Sequence, residues 1–101
     1  MSIEITARHL KISQDLQAFA REKAAGLMEE FPKIEFVHVV LDALRGQFMA
    51  EFVVQHKDLA KAEAAETCED MTKAIDLACG KIEKQLRKHR DKVVAAHHRR
   101  A

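Results

Sequence analysis

The stretch "IEFVHVVLDALRGQFMAEFVVQH", residues 34–56, decides the fold. Residues 34–44 are apolar and rich in β-branched side chains, which suits a strand crossing a core. "RGQ" at 45–47 is a turn signal. "FMAEFVVQH" at 48–56 answers as a second strand, so the two read as a hairpin. His38 lies inside the first of these strands and reads as an ordinary strand residue.

Upstream, "IEIT" at 3–6 alternates apolar and polar residues, the pattern of a short half-buried strand. Ser13 is placed to cap a helix, with Asp15 in its first turn near the positive end. Leu16, Phe19, Ala20, Lys23, Leu27 and Phe31 then recur at helical spacing, predicting a helix over residues 14–30 with one apolar face. Gly26 weakens it modestly. "FP" at 31–32 closes it, because the residue before proline disfavours helix.

Downstream, "KDL" at 57–59 offers another reversal. "AKAEAAE" at 60–66 would favour helix by its alanine content. Its alternation instead reads as a strand whose small-residue face can lie under a helix. From Asp70, the region expected to cap the last helix, Met71, Ala74, Ile75, Ala78, Ile82, Leu86 and Val93 fall on one helical side. Gly80 lies within that register and does not end it. The order is β-α-β-β-β-α. It predicts an α+β fold, a four-stranded sheet covered on one face by two helices.

The 101 residues suit one small domain, and 48% of them are apolar, enough for a single core. Five Phe with no Tyr or Trp argue against a protein that stacks exposed bases on aromatic rings. No apolar run approaches the roughly 20 residues of a membrane span. "MSIEITARHL" lacks a charged lead and an apolar stretch, so it is not read as a secretory signal. The expected compartment is the cytoplasm. Cys68 and Cys79 fit it as reduced thiols, and their spacing is not that of zinc ligands. His97 and His98 lie in a basic tail that repels a cation, so no metal and no cofactor are expected. His9, His38 and His56 stand near no nucleophile elbow, and no glycine-rich phosphate loop is present. Catalysis is not expected.

The charge is divided unevenly. Residues 81–101 hold eight Lys and Arg against two acids, a formal +6. Residues 1–80 hold nine against fourteen, a formal −5, so the whole chain carries only +1. The asymmetry points to a polyanionic partner. At about 100° per residue, Lys73, Lys81, Lys84, Lys88 and Lys92 form a stripe along one flank of the last helix. Arg87 projects opposite the core and Arg90 on the other flank. Dipole complementarity and a Glu83–Arg87 pair account for two or three of these cations, not for all. Lys23 projects among Leu16, Ala20 and Leu27. Its stem is expected to lie on apolar surface while its ammonium reaches water, emerging where Arg8 or Arg21 also point.

"ITARHLKIS" with its helix, "VHVVL", "EDMTKAID" and "KIEKQLRKHRDK" resemble, in that order, the ribosome hibernation-promoting factor family. The family is also called the ribosome-associated inhibitor or sigma-54 modulation protein family. The resemblance covers residues 3–92 and is to the short form. It implies a β-α-β-β-β-α fold similar to double-stranded RNA-binding domains. It implies binding in the mRNA and tRNA channel of the small ribosomal subunit near the decoding centre, with a block of translation in stationary or starved bacteria. Carried over residue by residue, the rRNA-binding set is Arg8, Arg21, Lys23, Lys81, Lys84, Arg87, Lys88, Arg90 and Lys92. Residues 1–95 are the expected ribosome-binding domain and 96–101 a short basic tail. Where the family commonly has Tyr after the Met of "EDM", this chain has Thr72, so no ring contact is expected there. Regulation of a sigma factor through protein contacts is the rival reading, and a basic helix lying on an anionic membrane is a third.

Overall fold

The computed structural model describes the backbone of residues 2–58 and 61–100, and the side chains of these through Arg90. The elements are β1 (Ile3–Arg8), α1 (Gln14–Glu30), β2 (Ile34–Leu44), β3 (Gln47–His56), β4 (Ala62–Cys68) and α2 (Met71–Arg100). The expected β-α-β-β-β-α order is borne out. The strands form one sheet in the order β1-β2-β3-β4. β1 runs parallel to β2 through the α1 crossover, and β2, β3 and β4 are antiparallel.

Local chemistry sets most boundaries. Ser13 Oγ accepts the Leu16 N–H at 3.1 Å, so the serine caps α1 as its position predicts. The Phe31 N–H returns to the Leu27 carbonyl at 2.9 Å before Pro32 stops the helix. Asp70 Oδ1 accepts the Thr72 N–H at 3.0 Å at the start of α2. In the hairpin Leu44 pairs with Gln47, leaving Arg45 and Gly46 as a two-residue loop. Their φ values are 52° and 79°. Such positive angles match the twist of paired strands, and Gly46 adopts them without a Cβ penalty.

Strand alternation divides the sheet into two faces. Val37, Val39 and Leu41 of β2 and Ala50, Phe52 and Val54 of β3 are buried on the helix-covered face. They meet Ala20, Ala24 and Leu27 of α1 and Met71, Ala74, Ile75, Ala78, Ile82 and Leu86 of α2. Each large side chain among them contributes roughly 1.5–3 kcal/mol by leaving water. β4 spans Ala62–Cys68, two residues later than the expected 60–66. Its small inward residues Ala62 and Ala64 let α2 lie on β3 and β4. The expected small-residue face is therefore present. Val93, on the same predicted stripe, lies outside the described side chains. Among the described residues the other face of the sheet carries no helix, and there Thr6 Oγ1 and His38 Nε2 are hydrogen-bonded at 2.9 Å.

Candidate nucleic-acid interface

Position on α2 determines what each cation meets. One flank of the helix turns toward α1. Lys23 Nζ lies 2.8 Å from Asp76 Oδ1 across the two helices and 5.4 Å from the centre of the Phe19 ring. Its stem is half-buried beside the core, as expected, and its hydrogen bond to Asp76 raises its pKa against the opposing effect of desolvation. Arg87 donates to Glu30 Oε2 from Nε at 3.1 Å and from Nη2 at 3.0 Å. It also reaches Glu83 Oε2 at 3.2 Å, the pair expected from their spacing. Arg90 stacks its guanidinium over Phe31, 5.0 Å from the ring centre. The groove between the helices is lined by Glu22, Glu29, Glu30 and Glu83 beside Lys23. Cys79 sits at its floor, and burial pushes that thiol up to about 11. Such a shift keeps the thiol protonated near neutral pH, and the thiolate is the nucleophilic form.

The outer flank differs. Lys84 and Lys88 are exposed, and among the described residues neither forms an ion pair. Lys73, one turn from the helix start on the same flank, is likewise exposed and unpaired among the described residues. Lys81 is salt-bridged to Glu66, which lies on the helix-covered face of the edge strand β4. Gln85 donates to the Glu63 carbonyl at 3.0 Å and ties the same flank to that edge.

Arg8 is not part of this surface. Ile3 and Ile5 pack on the core, so strand alternation puts Thr6 and Arg8 on the open face. There Arg8 Nε lies 3.7 Å from Asp42 Oδ2, and His9 Nδ1 2.9 Å from Oδ1. The His9 hydrogen bond holds the Asp42 carboxyl below its usual range. The expectation that Lys23 emerges where Arg8 or Arg21 also point is thus corrected for Arg8, since Lys23 turns to α2 and Arg8 to the opposite side of the sheet. Arg21 is exposed on α1 and unpaired among the described residues. The side chain of Lys92 lies outside the described residues.

Sequence reasoning passed over three acids, Asp76, Glu30 and Glu66, each of which engages one of the nominated cations. Their partners are 53, 57 and 15 positions away in the chain, so periodicity along one helix carries no signal for them. Among the described residues no helix is long and apolar enough to cross a membrane.

The comparisons with known proteins agree with this architecture. The family model described as "Sigma 54 modulation protein / S30EA ribosomal protein" matches residues 3–94. A ribosome hibernation promoting factor of Pseudomonas putida is 33% identical over 92 residues, covering 91% of this chain and 89% of the relative. That of Escherichia coli K12 is 31% identical over 93 residues, covering 92% and 97%. Among solved structures, the N-terminal domain of Thermus thermophilus Protein Y superposes with a TM-score of 0.78 at 25% identity, covering 88% of this chain and 99% of that one. A ribosomal subunit interface protein from Coxiella burnetii gives the same TM-score at 22% identity, covering 90% and 99%, a likeness of fold.

Proposed function

The chain belongs to the Sigma 54 modulation protein / S30EA ribosomal protein family, and on that premise we propose that it is a ribosome hibernation factor. It docks on the small ribosomal subunit in the mRNA and tRNA channel near the decoding centre, blocks translation in stationary phase or stress, and promotes inactive ribosome dimers. Residues 1–95 form the docking domain and 96–101 a basic tail, acting in the cytoplasm. The relatives named as ribosome hibernation promoting factors support the role, since they align over nearly the whole chain.

The observation that carries the reading is the outer flank of α2, where Lys84 and Lys88 stand exposed without a described partner. Structured rRNA is recognised largely through phosphates and shape, which calls for cations on a rigid surface and few aromatics. An α-helix packed on a sheet is such a surface. Lys84 and Lys88 lead the contact, with Lys81 beside them, Arg21 on α1 and Lys92 further along α2. Arg8, Lys23, Lys81, Arg87 and Arg90 reach phosphate only by exchanging or sharing the partners they hold now. The acidic groove between the helices opposes RNA approaching from that side and restricts the docking orientation.

Sucrose-gradient profiles of stationary-phase cells with and without this protein test the proposal. The expected result is co-sedimentation with small subunits and a dimer peak that requires the protein. Unchanged profiles, with the protein remaining at the top of the gradient, would reject it.

A further inference from the structure

At the end of the sheet away from the hairpin, β3 stops at His56, the chain turns through Asp58, and α2 passes overhead with His89. One ligand atom from each of these residues lies within 4.8 Å of the other two. They line a cavity of about 200 Å³ together with Phe31, Leu86 and Lys33. The two imidazoles meet edge to face, with ring centres 5.7 Å apart. His89 Nε2 is shielded from solvent and has no hydrogen-bond partner among the described residues. A shielded polar atom without a partner calls for an explanation, and an ion is one of the few that satisfies it.

We propose that His56, Asp58 and His89 form a binding site for a divalent transition-metal ion of the zinc class, with water completing the coordination. The donor set is chemically apt. Two imidazole nitrogens and one carboxylate suit zinc, whereas magnesium and calcium take oxygen ligands. Ligand atoms on one tetrahedral zinc sit about 3.3 Å apart, so the cluster needs to contract by only about 1.5 Å. Both imidazoles must bind as neutral rings. Lys33 Nζ donates to Asp58 Oδ2 at 2.7 Å, which leaves the second carboxylate oxygen to the metal. The Asp58 N–H donates to His56 Nδ1 at 3.1 Å, and this one solvent-competed bond is exchanged for the metal bond. The formal charges around the cavity balance, Glu30 and Asp58 against Lys33 and Arg90. The metal joins the end of β3 to α2 one residue from both Lys88 and Arg90, and so pins the basic helix at that point.

The spacing of residues 56, 58 and 89 resembles no linear metal motif, and the adjacent pair His97 and His98 is the obvious competitor for zinc in this chain. The test therefore uses the full chain stripped of metal with a chelator and titrated calorimetrically with Zn2+ at neutral pH. Co2+ serves as a spectroscopic probe and Mg2+ as a control. One equivalent of Zn2+, no Mg2+ binding and visible Co2+ bands characteristic of nitrogen ligation are expected. His56→Ala and His89→Ala should each weaken Zn2+ by at least about tenfold. Replacing His97 and His98 together by Ala should leave that affinity unchanged. Should His89→Ala fail to fold, His56→Ala and Asp58→Asn carry the test. Absence of Zn2+ binding overturns the proposal. So does affinity kept in the folded site variants, or affinity lost only in the tail variant.

Discussion

On its α1-facing flank, helix α2 presents Asp76, Glu83 and Arg87, and each is engaged: Asp76 by Lys23, Glu83 by Arg87, and Arg87 by Glu30 as well. On its outer flank it presents Lys73, Lys84 and Lys88, exposed and unpaired among the described residues. The two flanks belong to one helix, and both carry cations. They differ in what lies opposite. α1 brings acids to the first flank, whereas the second meets only the short edge strand β4, whose Glu66 takes Lys81. A cation that already holds a carboxylate must give it up to bind phosphate, and one facing only water need not. A net charge counts both kinds alike, which is why the +6 of the C-terminal segment overstates the charge free for a partner.

The outer flank can be broken outright. Lys84→Glu with Lys88→Glu removes the two leading phosphate contacts and adds two repulsions at exposed positions. Ribosome pelleting should be nearly abolished, while the melting temperature should hardly change. Wild-type pelleting by the folded double variant would end the assignment of this flank.

Salt then counts the contacts. With about four phosphates neutralised by an interface confined to the outer flank, raising salt from about 50 to 200 mM should weaken binding by about 10²-fold. Recruitment of the paired cations would raise the count to six or more and the loss to about 10³-fold. The partners observed on the α1 side favour the smaller loss, and affinity measured against salt on small subunits decides.

The inner flank should respond in stability. Arg87→Met keeps the aliphatic stem and removes the bonds to Glu30 and Glu83. A loss of about 1 kcal/mol in denaturant unfolding is expected, with ribosome affinity within about threefold of wild type. A large affinity loss without a stability change would move Arg87 to the docking surface.

The smallest effect belongs to Lys23. Its folded pKa is raised, so the Asp76 pair contributes while the ammonium is charged, fully below the ordinary lysine value of about 10.5, and fades as pH rises through the raised value. A cycle of Lys23→Met, Asp76→Asn and the double variant should give a coupling of about 0.5 kcal/mol near neutrality. That coupling should vanish at strongly alkaline pH. Coupling that persists there would show that the contact does not depend on the ammonium charge.

Much of this was legible in the chain. Ser13, the periodicity from Leu16 to Leu27 and Pro32 bound α1 at residues 14–30, because caps and proline act through neighbouring backbone atoms. The hairpin was legible for the same reason, through Arg45 and Gly46 between two apolar runs. β4 was harder. Its alanines favour helix, and only the cover of α2 makes their smallness an advantage, so the strand was identified with a two-residue offset. The binding surface was half legible. Helical projection separates Lys84 and Lys88 from the core, but it cannot say which flank α1 occupies.

By itself, the sequence determined the element order, the apolar faces and the excess of cations on the last helix, since each follows from interactions within a few residues. Only the tertiary structure decided which cations are taken, by bringing Glu30, Glu66 and Asp76 onto Arg87, Lys81 and Lys23. It also sent Arg8 to the open face and assembled His56, Asp58 and His89 around one cavity. Those pairings join residues on different elements. They depend on how α1 and α2 seat on the sheet, which the burial of the whole core sets and no local pattern encodes.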